Sequence, residues 1–462
     1  MTSPTKPLLF NAAPMFTASH GHHGQWRRPD AIDPEFNDVR LWIDLAKKLE
    51  EATFDGIFFP DVSGHHGPVD VPIDTIVEEG LQLPSNDPLL LLAALATHTE
   101  NIGLAFTSNI LQAHPFTFAR QVSTLDHLSG GRASWNIVTG WQNNGARNFG
   151  LRSLPEHDSR YEWAEEYVEV AYKLWEGSWD EGALLKDKAN SRFSDPAMVH
   201  KIFHEGPRYR VEGPHLPSPS LQRTPLLYQA GSSAAGRAFA ARHAEGVFLM
   251  PDSPAGAAEQ ISQTRALAVE AGRRPEDLKF FPGLSFIVGD TEEEAQDKAE
   301  FVHSYVSVAG LLAHMAVVDD DGQAYPLDTP LSRVRTQAMQ GTVERARSRI
   351  TDREPIVEDL ALELRSNPLV GTPEQIADAL EEWRDAGVDG INVMSYVLGD
   401  YAEFADKVIP VLRERGLAKT AYGEGSYRRK LFGEDRLNDR HPAAAYRGAF
   451  SNGPRTWEEA TA

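Results

Sequence analysis

Apolar positions along the chain alternate between two rhythms. Short runs rich in β-branched and aromatic residues are each followed by a longer segment whose apolar residues return every three or four positions. Pro7–Ala12 precedes Asn37–Ala52, where Val39, Leu41, Trp42, Leu45, Ala46 and Leu49 carry the helical spacing. Gly56–Pro60 precedes the Leu-rich Pro88–His98, which Asp87 caps. Six further pairs follow: Ile102–Ser108 with Phe116–Leu128, Ala133–Thr139 with Tyr161–Trp175, Pro225–Ala230 with Ala234–His243, Gly246–Met250 with Pro254–Ala271, Phe281–Val288 with Thr291–Val306, and Gly390–Met394 with Tyr401–Arg415.

Strands alternating with helices predict a parallel sheet, because right-handed crossovers lay each helix on the sheet's face. Eight such units predict an α/β fold closed into a (β/α)8 TIM barrel rather than an open sheet of five or six strands. The phrases Phe54-Asp-Gly-Ile-Phe58, Ala244-Glu-Gly-Val-Phe248 and Val388-Asp-Gly-Ile-Asn392 echo one another, each entering a strand through an acidic residue and glycine. Long insertions are expected after strand 2 (Ser63–Asn86), before strand 5 (Gly177–Thr224) and before strand 8 (Ala309–Thr372); the first two, punctuated by Pro, Gly and His, read as loop-rich. Residues 1–416 then form a single barrel domain with insertions. Residues 417–462 form a C-terminal extension, either a frayed end or an arm packing on the barrel or on a neighbouring subunit of a homodimer or homotetramer.

Composition narrows the partners. Among 462 residues, 67 Asp and Glu outweigh 45 Lys and Arg, and a formal charge of −22 repels nucleic acid and anionic lipid. With no cysteine, disulfides, thiolate metal sites and cysteine nucleophiles are excluded. The longest apolar run, Leu89–Ala96, is far below the ~20 residues of a membrane span, and a cytoplasmic location is expected.

Ligands of such barrels meet the C-terminal ends of the strands. Those ends carry Phe16, His20 and Trp26 after strand 1, Asp61 after strand 2, Thr107-Ser108-Asn109, Asn136 to Thr139, Gln229 to Ser233, and Met394-Ser395-Tyr396. Amide and hydroxyl groups beside aromatics dominate, and the scarcity of paired carboxylates argues against glycoside-type hydrolysis. Gly231-Ser-Ser-Ala-Ala-Gly236 at a strand-to-helix turn is either an anion site at a helix N-terminus or a simple serine cap. His157 and Tyr161, four apart, share one face if that turn is helical. His20-Gly-His22-His23 and His65-His66 invite a metal-dependent amidohydrolase reading, yet the ends of strands 4, 5, 6 and 8 lack the remaining ligands, so no metal is expected. No dinucleotide, P-loop, zincin or esterase-elbow motif is present.

Longer phrases carry a resemblance. Phe54-Asp-Gly-Ile-Phe-Phe-Pro-Asp61, Ser123-Thr-Leu-Asp-His-Leu-Ser-Gly-Gly-Arg132 leading to Trp135-Asn136, Ala146-Arg-Asn-Phe-Gly150, His157-Asp-Ser-Arg-Tyr161, Gln229-Ala-Gly-Ser232 and Tyr325-Pro-Leu-Asp-Thr-Pro330 are similar to the luciferase-like flavin-dependent monooxygenases. The branch is that of the nitrilotriacetate, dibenzothiophene sulfone and dimethyl sulfide monooxygenases.

The resemblance implies a two-component (group C) monooxygenase that binds FMN as FMNH2, supplied by a separate NAD(P)H:flavin reductase. With O2 as co-substrate, it acts on a small organic molecule through a peroxyflavin. Asp61 and Thr107 match positions near the isoalloxazine and ribityl chain, His157 and Tyr161 match flavin-site positions, and Ser232 matches a phosphate contact. Asn136, Thr139 and Ser233 join the cofactor-binding set by proximity. His20 is the expected catalytic residue, protonating or holding the distal oxygen, with Phe16 and Trp26 on the substrate side. Similar riboflavin lyases, which cleave riboflavin to lumichrome, give the alternative function. A flavin carrier, an F420-dependent relative and the amidohydrolase are remoter.

Overall fold

Every one of the eight expected strands finds its sequence neighbours as spatial neighbours. The computed structural model describes residues 6–67, 70–231, 233–319, 321, 323–334, 350, 352–363, 367–454 and 456–461. The strands are β1 (Leu9–Ala12), β2 (Gly56–Phe59), β3 (Gly103–Asn109), β4 (Ala133–Val138), β5 (Leu226–Gln229), β6 (Gly246–Leu249), β7 (Lys279–Val288) and β8 (Gly390–Met394). All pair in parallel in chain order. β8 returns to β1 with Leu9 opposite Gly390, which closes the sheet into a barrel. A ninth strand, Leu369–Gly371, extends β7 beyond the barrel.

Local sequence explains the outer layer. Helix Val39–Glu51 starts where the Asp38 carboxylate accepts from Arg40 N–H at 2.9 Å, and it buries Trp42, Leu45, Ala46 and Leu49 along one stripe. Asp87 caps Pro88–Ala96 in the same way at 2.8 Å. Helix His157–Tyr172 begins four residues before the expected Tyr161. Pro373–Asp385, which the strand–helix tally leaves out, is amphipathic, buries Ile376, Ala377, Leu380 and Trp383, and starts with a Thr372–Gln375 capping box.

The insertions hold more structure than their punctuation suggests. The first contains helix Asp74–Glu78, the second two short hairpins pairing Leu184–Asp187 with Arg192–Ser194 and His204–Glu205 with Arg210–Val211, and the third helix Val308–His314. Much of the remaining third insertion lies outside the described residues.

Beyond Gly416 the chain runs beneath the barrel. Tyr427 enters its N-terminal end, where the rings of Tyr427 and Tyr228 take the space that a Cβ on Gly103 and on Gly246 would need. Its hydroxyl lies 2.8 Å from that of Tyr228 and donates to Asn11 Oδ1 at 3.1 Å. Arg428 makes a bidentate pair with Glu245, 2.7 and 2.9 Å, in a fully buried setting. The tail thus closes the floor of the barrel.

Candidate active site

A polar wall stands at the C-terminal ends of β2, β3 and β4. Thr107 and Asn136 are partners in the β3–β4 register, so strand alternation sends both side chains to the same face. Asn136 Nδ2 donates to Thr107 Oγ1 at 2.9 Å, both are buried, and Asn136 Oδ1 is left without a hydrogen-bond partner. Asp61 follows β2, half-buried, its carboxylate accepting from Val62 N–H at 2.8 Å. Burial pushes its pKa up to about 7 against the opposing pull of that N–H and of the Gln112 side chain. Gln112 Oε1 in turn accepts from the Ser108 hydroxyl at 2.8 Å and Asn109 N–H at 2.6 Å. Thr139 is buried past β4, and beyond it Gln142 carries a buried Nε2 donor without a partner.

The helix after β5 supplies a second wall. Ser233 Oγ accepts from Gly236 N–H at 3.0 Å and caps Ala234–His243. A Cβ on Gly231 or on Gly236 would come to 2.8 Å from Tyr161 Oη, so the tyrosine hydroxyl lies in a cradle that only glycines leave open. The rings of His157 and Tyr161 are 5.3 Å apart on one helical turn, as their spacing requires. Ser232 lies outside the described residues.

Loops after β1 and β2 and helix Val308–His314 meet over the mouth through histidines. The His314 ring stacks on His66 at 3.9 Å and lies 4.6 Å from His23; His66 Nε2 meets Gln82 Oε1 at 2.7 Å, and Gln82 Nε2 donates to the His20 carbonyl at 2.9 Å. Burial lowers His20 to about 4; burial and neighbouring histidines lower His22 and His23 to about 3. All are neutral at pH 7. Among the described residues no group of three or more His, Asp or Glu is arranged to hold a metal ion.

Phe16 and Trp26, after β1, each hold a neighbouring segment. Phe16, half-buried, packs edge-on against Trp42 at 5.1 Å, which seats its loop on helix Val39–Glu51. Trp26 Nε1 donates to the Glu79 carbonyl at 3.2 Å and ties the first insertion to the loop after β1. Sequence reading passed over Gln112, Gln82 and His314. Gln112 has a signal, lying just past the Thr107-Ser108-Asn109 strand end; His314 has none, being far along the chain from the histidines it stacks on.

The whole chain is similar to known proteins. The family model described as luciferase-like monooxygenase matches residues 14–390. A long-chain alkane monooxygenase of Geobacillus thermodenitrificans is 40% identical over 452 residues, covering 97% of this chain and all of the relative. The crystal structure of dimethyl-sulfide monooxygenase from Hyphomicrobium sulfonivorans superposes with a TM-score of 0.89 at 38% identity, covering 98% of this chain and 99% of that one. The structure of a riboflavin lyase with modified FMN and riboflavin superposes at 0.86 with 35% identity, covering 96% and 100%.

Proposed function

Because the chain belongs to the luciferase-like monooxygenases, which are O2-using oxidoreductases, we propose that its barrel mouth binds reduced FMN delivered by a separate NAD(P)H:flavin reductase and oxygenates a small organic molecule. The observation that carries the cofactor is Asn136 Oδ1. A buried acceptor without a donor costs about 1–3 kcal/mol, and a flavin N–H or a ribityl hydroxyl would supply the missing donor. The N-terminus of Ala234–His243, with Ser233 and the Tyr161 hydroxyl beside it, suits the phosphate. The residues present therefore fit FMN.

When bound, reduced FMN supplies the two electrons with which one oxygen atom of O2 goes to the substrate and the other to water. The chain's own part is positioning, water exclusion and proton handling. Asp61, titrating near neutrality, holds or releases a proton at its carboxyl group at working pH. His20 stays neutral and offers one ring N–H, so its expected protonating role narrows to hydrogen bonding. The histidine-joined loops cover the mouth against water. The absence of any dinucleotide fingerprint supports a separate reductase.

The test is oxygen uptake with FMN, a reductase, NADH and a panel that includes a long-chain alkane and dimethyl sulfide. Substrate-dependent uptake with one atom of labelled O2 in the product is expected; flavin-only peroxide formation across the panel sinks the reading. The likeness to the riboflavin lyase structure favours a second reading, in which riboflavin itself is cleaved. Lumichrome in a parallel incubation with riboflavin decides for it.

A further inference from the structure

Opposite the polar wall, β6, β7 and β8 present a different surface. Alternation turns Phe248, Gly283 and Met394 inward, and Met250 follows β6. Gly283 is half-buried in the middle of a barrel strand, so the mouth reaches down to its backbone. A Cβ built there would lie 2.8 Å from Met394 Sδ, 2.9 Å from Phe248 Cζ and 3.2 Å from Met250 Sδ. Three flexible apolar side chains thus converge on the one position that has no side chain of its own. Two residues further up, Ser285 Oγ lies 3.2 Å from His22 Nε2, and the His22 ring stacks on Tyr396 at 4.0 Å.

Resting on the oxygenase reading above, we propose that Gly283, Met250 and Met394 form the specificity-determining pocket, and that it takes an uncharged apolar group, an alkyl chain or thioether, while rejecting carboxylates. Phe248, Met250 and Met394 carry no hydrogen-bond donor, so a carboxylate seated among them would shed water with nothing from these three side chains in return. The two thioethers, unbranched and polarizable, adapt to chains of different shape. Depth is set by the missing side chain at position 283, since any Cβ must push a sulfur into the pocket.

Calorimetric titration of the full-length protein, with and without bound FMN, tests this with methyl propyl sulfide, methyl hexyl sulfide and 3-(methylthio)propanoate. The carboxylated probe is expected to bind at least about tenfold more weakly than methyl propyl sulfide. Gly283→Ala is expected to weaken methyl hexyl sulfide about tenfold while changing methyl propyl sulfide by less than about twofold. Met394→Ala added to Gly283→Ala should restore the longer probe, an outcome that misfolding does not produce. Equal affinity for the carboxylated probe, or no effect of Gly283→Ala on the hexyl probe, overturns the assignment. FMN affinity, read by flavin fluorescence in the same variants, keeps this outcome separate from the flavin reading: lost FMN binding with the probe pattern intact sinks only the latter.

Discussion

Asn136 spends its amide donor on Thr107 Oγ1 at 2.9 Å and keeps a buried oxygen with nothing to accept. Such half-satisfied amides are costly in a protein interior and common where a ligand completes them. Asn136→Leu removes both amide groups and with them the unpaired acceptor. Because the Thr107 hydroxyl loses its donor as the unpaired acceptor goes, the expected outcome is a melting temperature little changed without FMN, together with about tenfold weaker binding of reduced FMN. Unchanged FMN affinity in an anaerobic titration would show that the oxygen serves no flavin contact.

Ser233 separates phosphate from ring recognition. Ser233→Ala removes the cap on Ala234–His243, with an expected loss of about 1 kcal/mol of stability. The FMN-to-riboflavin affinity ratio should also fall, because only FMN carries the anion that the helix terminus attracts. Equal weakening of both flavins in fluorescence titrations would place the phosphate elsewhere.

Asp61 makes stability pH-dependent in the direction opposite to an ordinary salt-bridged carboxylate. Its native pKa is raised to about 7 by burial, while the unfolded chain titrates near 3.8. The native state holds the extra proton between these values, so this contribution is present below about 3.8 and lost as pH rises to about 7. Asp33, also raised to about 7 by burial, adds the same slope. Urea midpoints of Asp61→Asn across pH 5–8 should lose part of that slope, and a slope identical to the parent's refutes the buried-acid assignment.

The mouth histidines act with the opposite sign. Native values of about 4 for His20 and about 3 for His22 and His23 lie below the unfolded 6.5, so the unfolded chain takes up protons first as pH falls. Stability is full above about 6.5 and lost progressively toward pH 4. The charges acting on His22, His23 and His314 are those of other histidines, which oppose protonation further. Melting curves from pH 7.5 to 4.5 should fall steeply, and His314→Leu should flatten the fall. If that variant titrates like the parent, the stack is not what resists acid.

Arg428 ties the tail to the barrel floor through Glu245 and the Pro225 carbonyl, with both charged groups almost fully buried. Arg428→Ala leaves Glu245 charged and unpaired, and the expected loss is about 3–5 kcal/mol in denaturant unfolding. Arg428→Lys should recover only part of it, because an ammonium cannot reproduce the bidentate fork. A loss below about 1 kcal/mol in the alanine variant would mean that water reaches the pair.

The sequence by itself determined the barrel. Eight apolar runs alternating with amphipathic helices have few compact solutions, and the strand boundaries fell within a few residues because alternation and capping residues such as Asp38 and Asp87 act locally. The positions of Asp61, Thr107, Asn136 and Ser233 at one mouth follow from where barrel strands end, and that of His157 beside Tyr161 from the helical turn that separates them. Tertiary structure alone decided the rest. Nothing near Tyr427 or Arg428 in the chain says that they close the barrel floor; Tyr228, Asn11 and Glu245 do, and each is far away in sequence. His314 joins His23 and His66 only after an insertion folds back across the mouth, and Phe16 meets the Trp42 ring only once helix Val39–Glu51 packs beside its loop. Gly283 means little as one glycine in a strand until Met250, Phe248 and Met394 converge on it. Local sequence sets periods and caps, whereas burial, shifted pKa values and a pocket's shape arise from residues that only the closed sheet brings together.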